Sequence, residues 1–196
     1  LLPFLLSHEV ETVHALSRSS QVSNGDDRLR SFTGDICQLD FLEEALAGCN
    51  VVFHLAAEAD VEKARLSPLE TFRVNSQGTA HLLEACSRQE IESVIYCSTC
   101  HVYGSFCSER IDETHPTRPA SVYASSKLAG EDILQGYLAN SGKLTGCAVR
   151  FTNLYGFHND DRTVVSKAIR QVASNGHISL NNLNSKRDFI HIDDAV

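Results

Sequence analysis

The chain has 196 residues, 42% of them hydrophobic and 21% charged, with 11 glycines and 4 prolines. That apolar content supports one domain with a sizeable core, or most of one, and excludes disordered, collagen-like and low-complexity classes. Seventeen Lys and Arg against 25 Asp and Glu leave a net charge of −8, which argues against a nucleic-acid partner held through its phosphates, and no apolar run approaches the ~18 residues of a membrane span.

In chain order, residues 1–7 read as the tail of a helix. Strands are predicted over 11–16, 31–33, 51–56, 93–98 and 146–150, and helices over 40–47, 68–88, 123–140 and 162–175. Short apolar runs alternating with longer segments of helical period indicate an α/β fold with a parallel sheet. Val51–Ala56 and Val94–Cys97 are almost continuously apolar, as suits strands buried on both faces. The expected fold class is a Rossmann-like doubly wound sheet. A first strand and its Gly-rich turn would open such a sheet, and no GxGxxG is present. A chain that starts at Leu1 and stops at Val196 therefore reads as a fragment, expected to be poorly stable and to bind a dinucleotide weakly. Substrate-domain segments are expected from about residue 157.

The seven cysteines are scattered and odd in number, which points to a reducing, cytoplasmic setting and away from a disulfide scaffold. Cys97 and Cys100 form a CxxC. It reads as a redox pair, as half a zinc site, or as two small residues at the end of a buried strand. No second pair follows at zinc spacing, so no metal is expected.

The strongest chemical signal is Tyr123-Ala-Ser-Ser-Lys127 at a helix start. The i, i+4 spacing puts both side chains on one face, ~5–6 Å apart at Cβ. One positive charge at ~5 Å is worth about 3 kcal/mol at an effective dielectric of ~20. That would draw a phenol from its ordinary pKa of about 10 toward neutrality, where it serves as an acid/base group. Upstream, Tyr96-Cys-Ser-Thr-Cys-His-Val-Tyr-Gly104 ends an apolar strand with hydroxyls, at the end of the strand where open α/β sheets place ligands.

With the preceding His54-Leu-Ala-Ala57, these motifs resemble extended short-chain dehydrogenases/reductases of the NAD-dependent epimerase/dehydratase type over essentially the whole chain. The resemblance implies that Thr99 hydrogen-bonds the reacting oxygen and that Tyr123 is the general acid/base. Lys127 would hold the nicotinamide ribose and lower the Tyr pKa, and Ser98 would help position the site. His101 is not required by the family. Asp35 and Ile36 would flank the adenine, with Leu55, Ala56 and Ala57 letting the cofactor pass close to the sheet and Asn75 lying near its ribose. In Arg150-Phe-Thr-Asn-Leu-Tyr-Gly156, Phe151 would lie by the nicotinamide and Asn153 on the substrate diphosphate. In Arg187-Asp-Phe-Ile-His-Ile-Asp-Asp194, Arg187 would pair with a substrate phosphate, while Asp193 and Asp194 cap the next helix.

The implied cofactor is NAD or NADP. Ser17 followed by Arg18 at the end of the second family strand favours NADP, because an acidic residue there would repel a 2′-phosphate. The implied substrate is a small molecule, a nucleotide-diphosphate sugar, and a homodimer is left open. Family dehydratases carry Asp-Glu directly after the Thr, where this chain has Cys100-His101. That favours a UDP-glucose 4-epimerase-like reaction, with an NADP-linked reductase of a sugar nucleotide or other alcohol as alternative. A non-catalytic cofactor-binding homologue is the remaining reading.

Overall fold

The computed structural model describes residues 1–104, 110–156, 163–180 and 186–196. Cys107, the expected boundary near 157 and the expected helix start at Arg162 lie outside the described residues. The chain divides into two compact units, Leu1–Arg150 and Phe151–Val196.

The first unit opens with helix α1 (Leu2–Leu6), then strands β1 (Val13–Ser17) and β2 (Leu29–Thr33), which pair in parallel. Helix α2 (Leu39–Leu46) leads to β3 (Val51–His54), which pairs in parallel with β4 (Ser93–Thr99). Between them run α3 (Val61–Leu66), α4 (Pro68–Phe72), a π turn (Arg73–Gln77) and α5 (Gly78–Arg88). After β4 come a 3-10 turn (Cys100–Tyr103), α6 (Val122–Asn140) and β5 (Thr145–Phe151), the last strand of the order β3-β4-β5. Every expected strand is present within two residues of its predicted ends. The α/β class and parallel pairing are those the apolar periodicity indicates.

Two pieces of sheet, β1-β2 and β3-β4-β5, are separate among the described residues. A cavity of about 850 Å³ lies between them, lined by β1 and β3 along their whole length. In strand order 3-2-1-4-5-6 this is the place of the central strand. The gap leaves one face of β3 open: Val51 and Phe53 are exposed while Val52 and His54 are buried.

The core of this unit sits where α2, α5 and α6 cover the sheet. Leu42, Leu46, Leu82, Leu83, Val94 and Leu134 are buried together, each such side chain contributing roughly 1.5–3 kcal/mol by leaving water. Tyr96 reaches Gly130 so closely that a Cβ there would strike its ring. That close approach draws α6 down onto β4.

The helix predicted over 68–88 is three pieces. Asn75 lies in the π turn and Pro68 starts α4. The wider turn lets the Asn75 amide point at two neighbouring segments, and single π turns inside helices of this kind are common at functional sites. Helix α3 has no apolar period to reveal it. It is announced by Asp60, whose carboxylate accepts from the Glu62 and Lys63 amides at 2.9 and 3.1 Å.

The second unit contains β6 (Asn153–Tyr155), α7 (Val164–Asn175), β7 (Phe189–His191) and α8 (Ile192–Ala195), with β6 and β7 parallel. Asp193 and Asp194 do not cap α8. His191 is the cap, its ring nitrogen accepting from the Asp193 amide at 3.3 Å, and the two carboxylates occupy the first turn.

Candidate active site

Helix α6 brings the catalytic candidates to the end of β4. Ser121 starts the helix by accepting from the Ala124 amide at 3.1 Å, which fixes Tyr123 in the first turn and Lys127 one turn later. Thr99 is the last residue of β4 and is buried. Its hydroxyl accepts from the His101 amide at 3.3 Å. The His101 ring stands edge-on to the Tyr123 ring, 6.4 Å between centroids.

Lys127 is only 2% exposed, and its Nζ lies 4.0 Å from the centre of the Tyr96 ring. Burial brings its pKa from 10.5 down to about 8, against the pull of Cys97 and Glu131. Tyr123 is a correction to the sequence expectation: burial pushes its phenol above the ordinary value, and the nearby Thr99 hydroxyl only partly opposes this. A simple charge estimate omits desolvation, which is the larger effect here.

Below these residues runs a buried polar chain. His54 Nε2 lies 2.8 Å from Thr79 Oγ1, and Thr79 donates to the Asn75 carbonyl at 2.6 Å. Asn75 Nδ2 donates to Ser126 Oγ at 2.9 Å, and Ser126 donates to the Tyr123 carbonyl at 2.8 Å. Asn75 also accepts from the Glu58 amide at 2.7 Å and donates to its carbonyl at 3.1 Å. Both Asn75 amide protons are thus given to protein, and the residue ties the turn after β3 to α6. Because Thr79 already donates to a carbonyl, His54 supplies the proton of their shared bond, and burial holds its pKa down near 3.

Ser98 likewise turns inward. Its hydroxyl donates to the buried Glu131 carboxylate, which Arg150 holds through Nε at 3.1 Å and Nη2 at 2.6 Å. Glu131 was not singled out by the sequence reading. Its signal is the spacing, because it follows Lys127 by the same four residues that separate Lys127 from Tyr123.

The cofactor candidates gather elsewhere in the same unit. Ser17, Arg18, Asp35, Ile36, Leu55, Ala56 and Ala57 all line the cavity between β1 and β3, at the ends of strands where dinucleotides bind in such sheets. Asp35 accepts from the Cys37 amide at 2.9 Å and pairs with Arg73 at 3.0 Å, which holds its carboxyl below the usual range. Ile36 packs over Gly78, where a Cβ would approach it to 2.7 Å.

Phe151, Asn153 and Arg187 belong to the second unit. Asn153 Nδ2 donates to the Asp188 carbonyl at 2.9 Å, and Arg187 is exposed beside it. Among the described residues no three His, Cys, Asp or Glu side chains are placed to hold a metal, and no helix is long and apolar enough to cross a membrane.

The α/β layout with parallel strands places Thr99 at the end of β4 and Tyr123 and Lys127 along α6. The chain belongs to the NAD dependent epimerase/dehydratase family, which it matches over residues 1–196. It is 30% identical over 199 aligned positions to the dTDP-glucose 4,6-dehydratase of Streptomyces niveus, covering 98% of this chain and 59% of that protein. The structure superposes on a dTDP-glucose 4,6-dehydratase of Streptomyces venezuelae, solved with NAD bound, with a TM-score of 0.88 and 26% identity, covering 99% of this chain and 64% of that one. It superposes on the UDP-N-acetylglucosamine 4-epimerase of Methanobrevibacter ruminantium with a TM-score of 0.79 and 29% identity, covering 87% and 56%.

Proposed function

We propose that this protein carries out NAD(P)-dependent chemistry on a nucleotide-diphosphate hexose, opening with oxidation of a ring hydroxyl. The observation that carries the reading is Tyr123 one helical turn from buried Lys127 on α6, beside the strand that ends in buried Thr99. Ser17, Asp35, Ile36 and Ala56 of the cavity wall would hold the dinucleotide, which when bound would accept the hydride. Thr99 holds the substrate oxygen, and Tyr123 takes its proton as the carbon–hydrogen bond is lost. Lys127 supplies positive charge that favours the tyrosinate. Ser17 and Arg18 at the cavity wall support NADP, whereas the solved relatives with a named cofactor carry NAD.

The fate of the oxidised sugar is read first as loss of water, a 4,6-dehydration. The likeness to dehydratases runs over 98% of the chain. This reverses the preference for epimerisation drawn from Cys100-His101. A 4-epimerase remains the second reading, favoured by that pair and by the likeness to a 4-epimerase structure. We place the protein in the cytoplasm, in keeping with its free cysteines.

Incubating the protein with dTDP-glucose and with UDP-glucose separates the two readings. A 4-keto-6-deoxy product establishes dehydration, and a 4-epimer without water loss establishes epimerisation. Tyr123→Phe should lower turnover roughly 10²–10⁴-fold with cofactor affinity unchanged. Unaltered turnover in that variant would remove the enzymatic reading.

A further inference from the structure

One face of α6 carries Tyr123, Lys127 and Glu131 at four-residue steps, so each side chain stacks one turn from the next. Glu131 is almost as buried as Lys127. A carboxylate at that depth is tolerated only when paired and hydrogen-bonded. Arg150 of β5 and Ser98 of β4 supply both. Arg150 also donates through Nη1 to the Tyr103 hydroxyl at 2.7 Å and lies over the Tyr103 ring at 4.8 Å. Glu131 thus links α6 and two strands to the turn that follows Thr99.

We propose that Glu131 is a positioning residue: the fixed anion that keeps Lys127 cationic, and the anchor that holds the Thr99 turn against Tyr123. This rests on the reading of Tyr123 and Lys127 as the acid/base pair. The groups facing Lys127 single Glu131 out. From β4 come the Tyr96 ring and the Cys97 thiol, which burial keeps protonated to higher pH. From β3 comes His54, neutral down to a pH of about 3. On α6 itself lies Tyr123, whose phenol is also pushed toward the neutral form, and the 3-10 turn brings Cys100 and His101 to that phenol. Arg150 of β5 reaches the Glu131 carboxylate itself. Glu131, paired with Arg150 and one turn from Lys127 on the same face of α6, is the carboxylate those neighbours leave beside it.

The test follows the Lys127 proton directly, by NMR titration of isotope-labelled lysine in the protein, with the resonance assigned by its absence in Lys127→Arg. Glu131→Gln keeps the shape and removes the charge, so Lys127 should lose its proton about one pH unit lower, a tenfold loss of proton affinity. Arg150→Met removes a cation and should leave that midpoint unchanged or higher. If Glu131→Gln does not fold, Glu131→Gln/Arg150→Met leaves neither charge unpaired and carries the same downward expectation. A Lys127 midpoint unmoved by loss of Glu131, or lowered equally by Arg150→Met alone, overturns the proposal. The alkaline limb of the pH–kcat profile should follow the same order. The titration needs no turnover, so failure to find a sugar substrate would count against the proposed reaction and leave this result standing.

Discussion

The ammonium of Lys127 rests on the face of Tyr96, 4.0 Å from its centre, and the Tyr96 hydroxyl donates to the Lys127 carbonyl at 3.2 Å. A strand tyrosine thus holds a helix lysine by ring and hydroxyl together. The lysine is buried with its pKa lowered from 10.5 to about 8, so between those values the unfolded chain binds the extra proton. Stability should then rise with pH across that window, at about 1.4 kcal/mol per pH unit from this group. Urea unfolding of wild type and Lys127→Met at pH 7.5 and 9.5 isolates the contribution. Equal pH slopes in the two proteins would mean that Lys127 is not desolvated as described.

His54 carries the opposite liability. Its ring is buried, donates to Thr79 and has its pKa lowered from 6.5 to about 3. Below about pH 6.5 the unfolded chain takes up a proton that the folded ring refuses, so stability falls as pH falls toward 3, by up to about 1.4 kcal/mol per pH unit. His54→Gln should unfold with one proton fewer taken up over that range. The acid limb of the denaturation midpoint reads this directly, and an unchanged limb would place the acid sensitivity elsewhere.

The apolar period of the strands was enough to place β1 to β5, because a strand buried by helices has little choice of residue. The Tyr123-Lys127 spacing placed both side chains on one face of α6 for a similar reason: a helix repeats every 3.6 residues whatever covers it. Partners across the fold were not legible. Nothing adjacent to Asn75 in the chain indicates Glu58 or Ser126, 17 and 51 residues away. Nor does the sequence near Ser98 indicate Glu131, 33 residues on. The sign of the Tyr123 shift failed for the same cause, since a charge four residues away can be counted from sequence and burial by distant elements cannot.

Gly130 is a packing position. A Cβ on it would meet the Tyr96 ring at 2.7 Å, with the hydroxyl closer still. Gly130→Ala gains helix propensity worth about 1 kcal/mol but must displace a fully buried tyrosine, so a net loss of roughly 1–3 kcal/mol is expected. Tyr96→Phe removes the nearer atom and should recover part of it in the double variant. Thermal unfolding of the four proteins gives the coupling. Strict additivity would show that helix α6 shifts away from the strand at little cost.

Arg18 stands exposed at the end of β1, on the wall of the cavity that also carries Ser17, Asp35 and Ile36. Glu70, whose carboxyl feels the Arg18 charge, is already bound to Arg73 through two nitrogens at 2.8 and 2.9 Å. The guanidinium can therefore turn to a phosphate on the adenosine ribose, and the Ser17 hydroxyl beside it can donate to the same group. A charge-assisted contact of this kind contributes about 1.5–3 kcal/mol, or roughly 10–100-fold in affinity. Arg18→Ala should lose that factor for NADP and leave NAD binding nearly unchanged, measured by fluorescence titration of each reduced cofactor. Equal affinities of wild type for the two cofactors, or an equal loss for both in the variant, would show that Arg18 reads no 2′-phosphate.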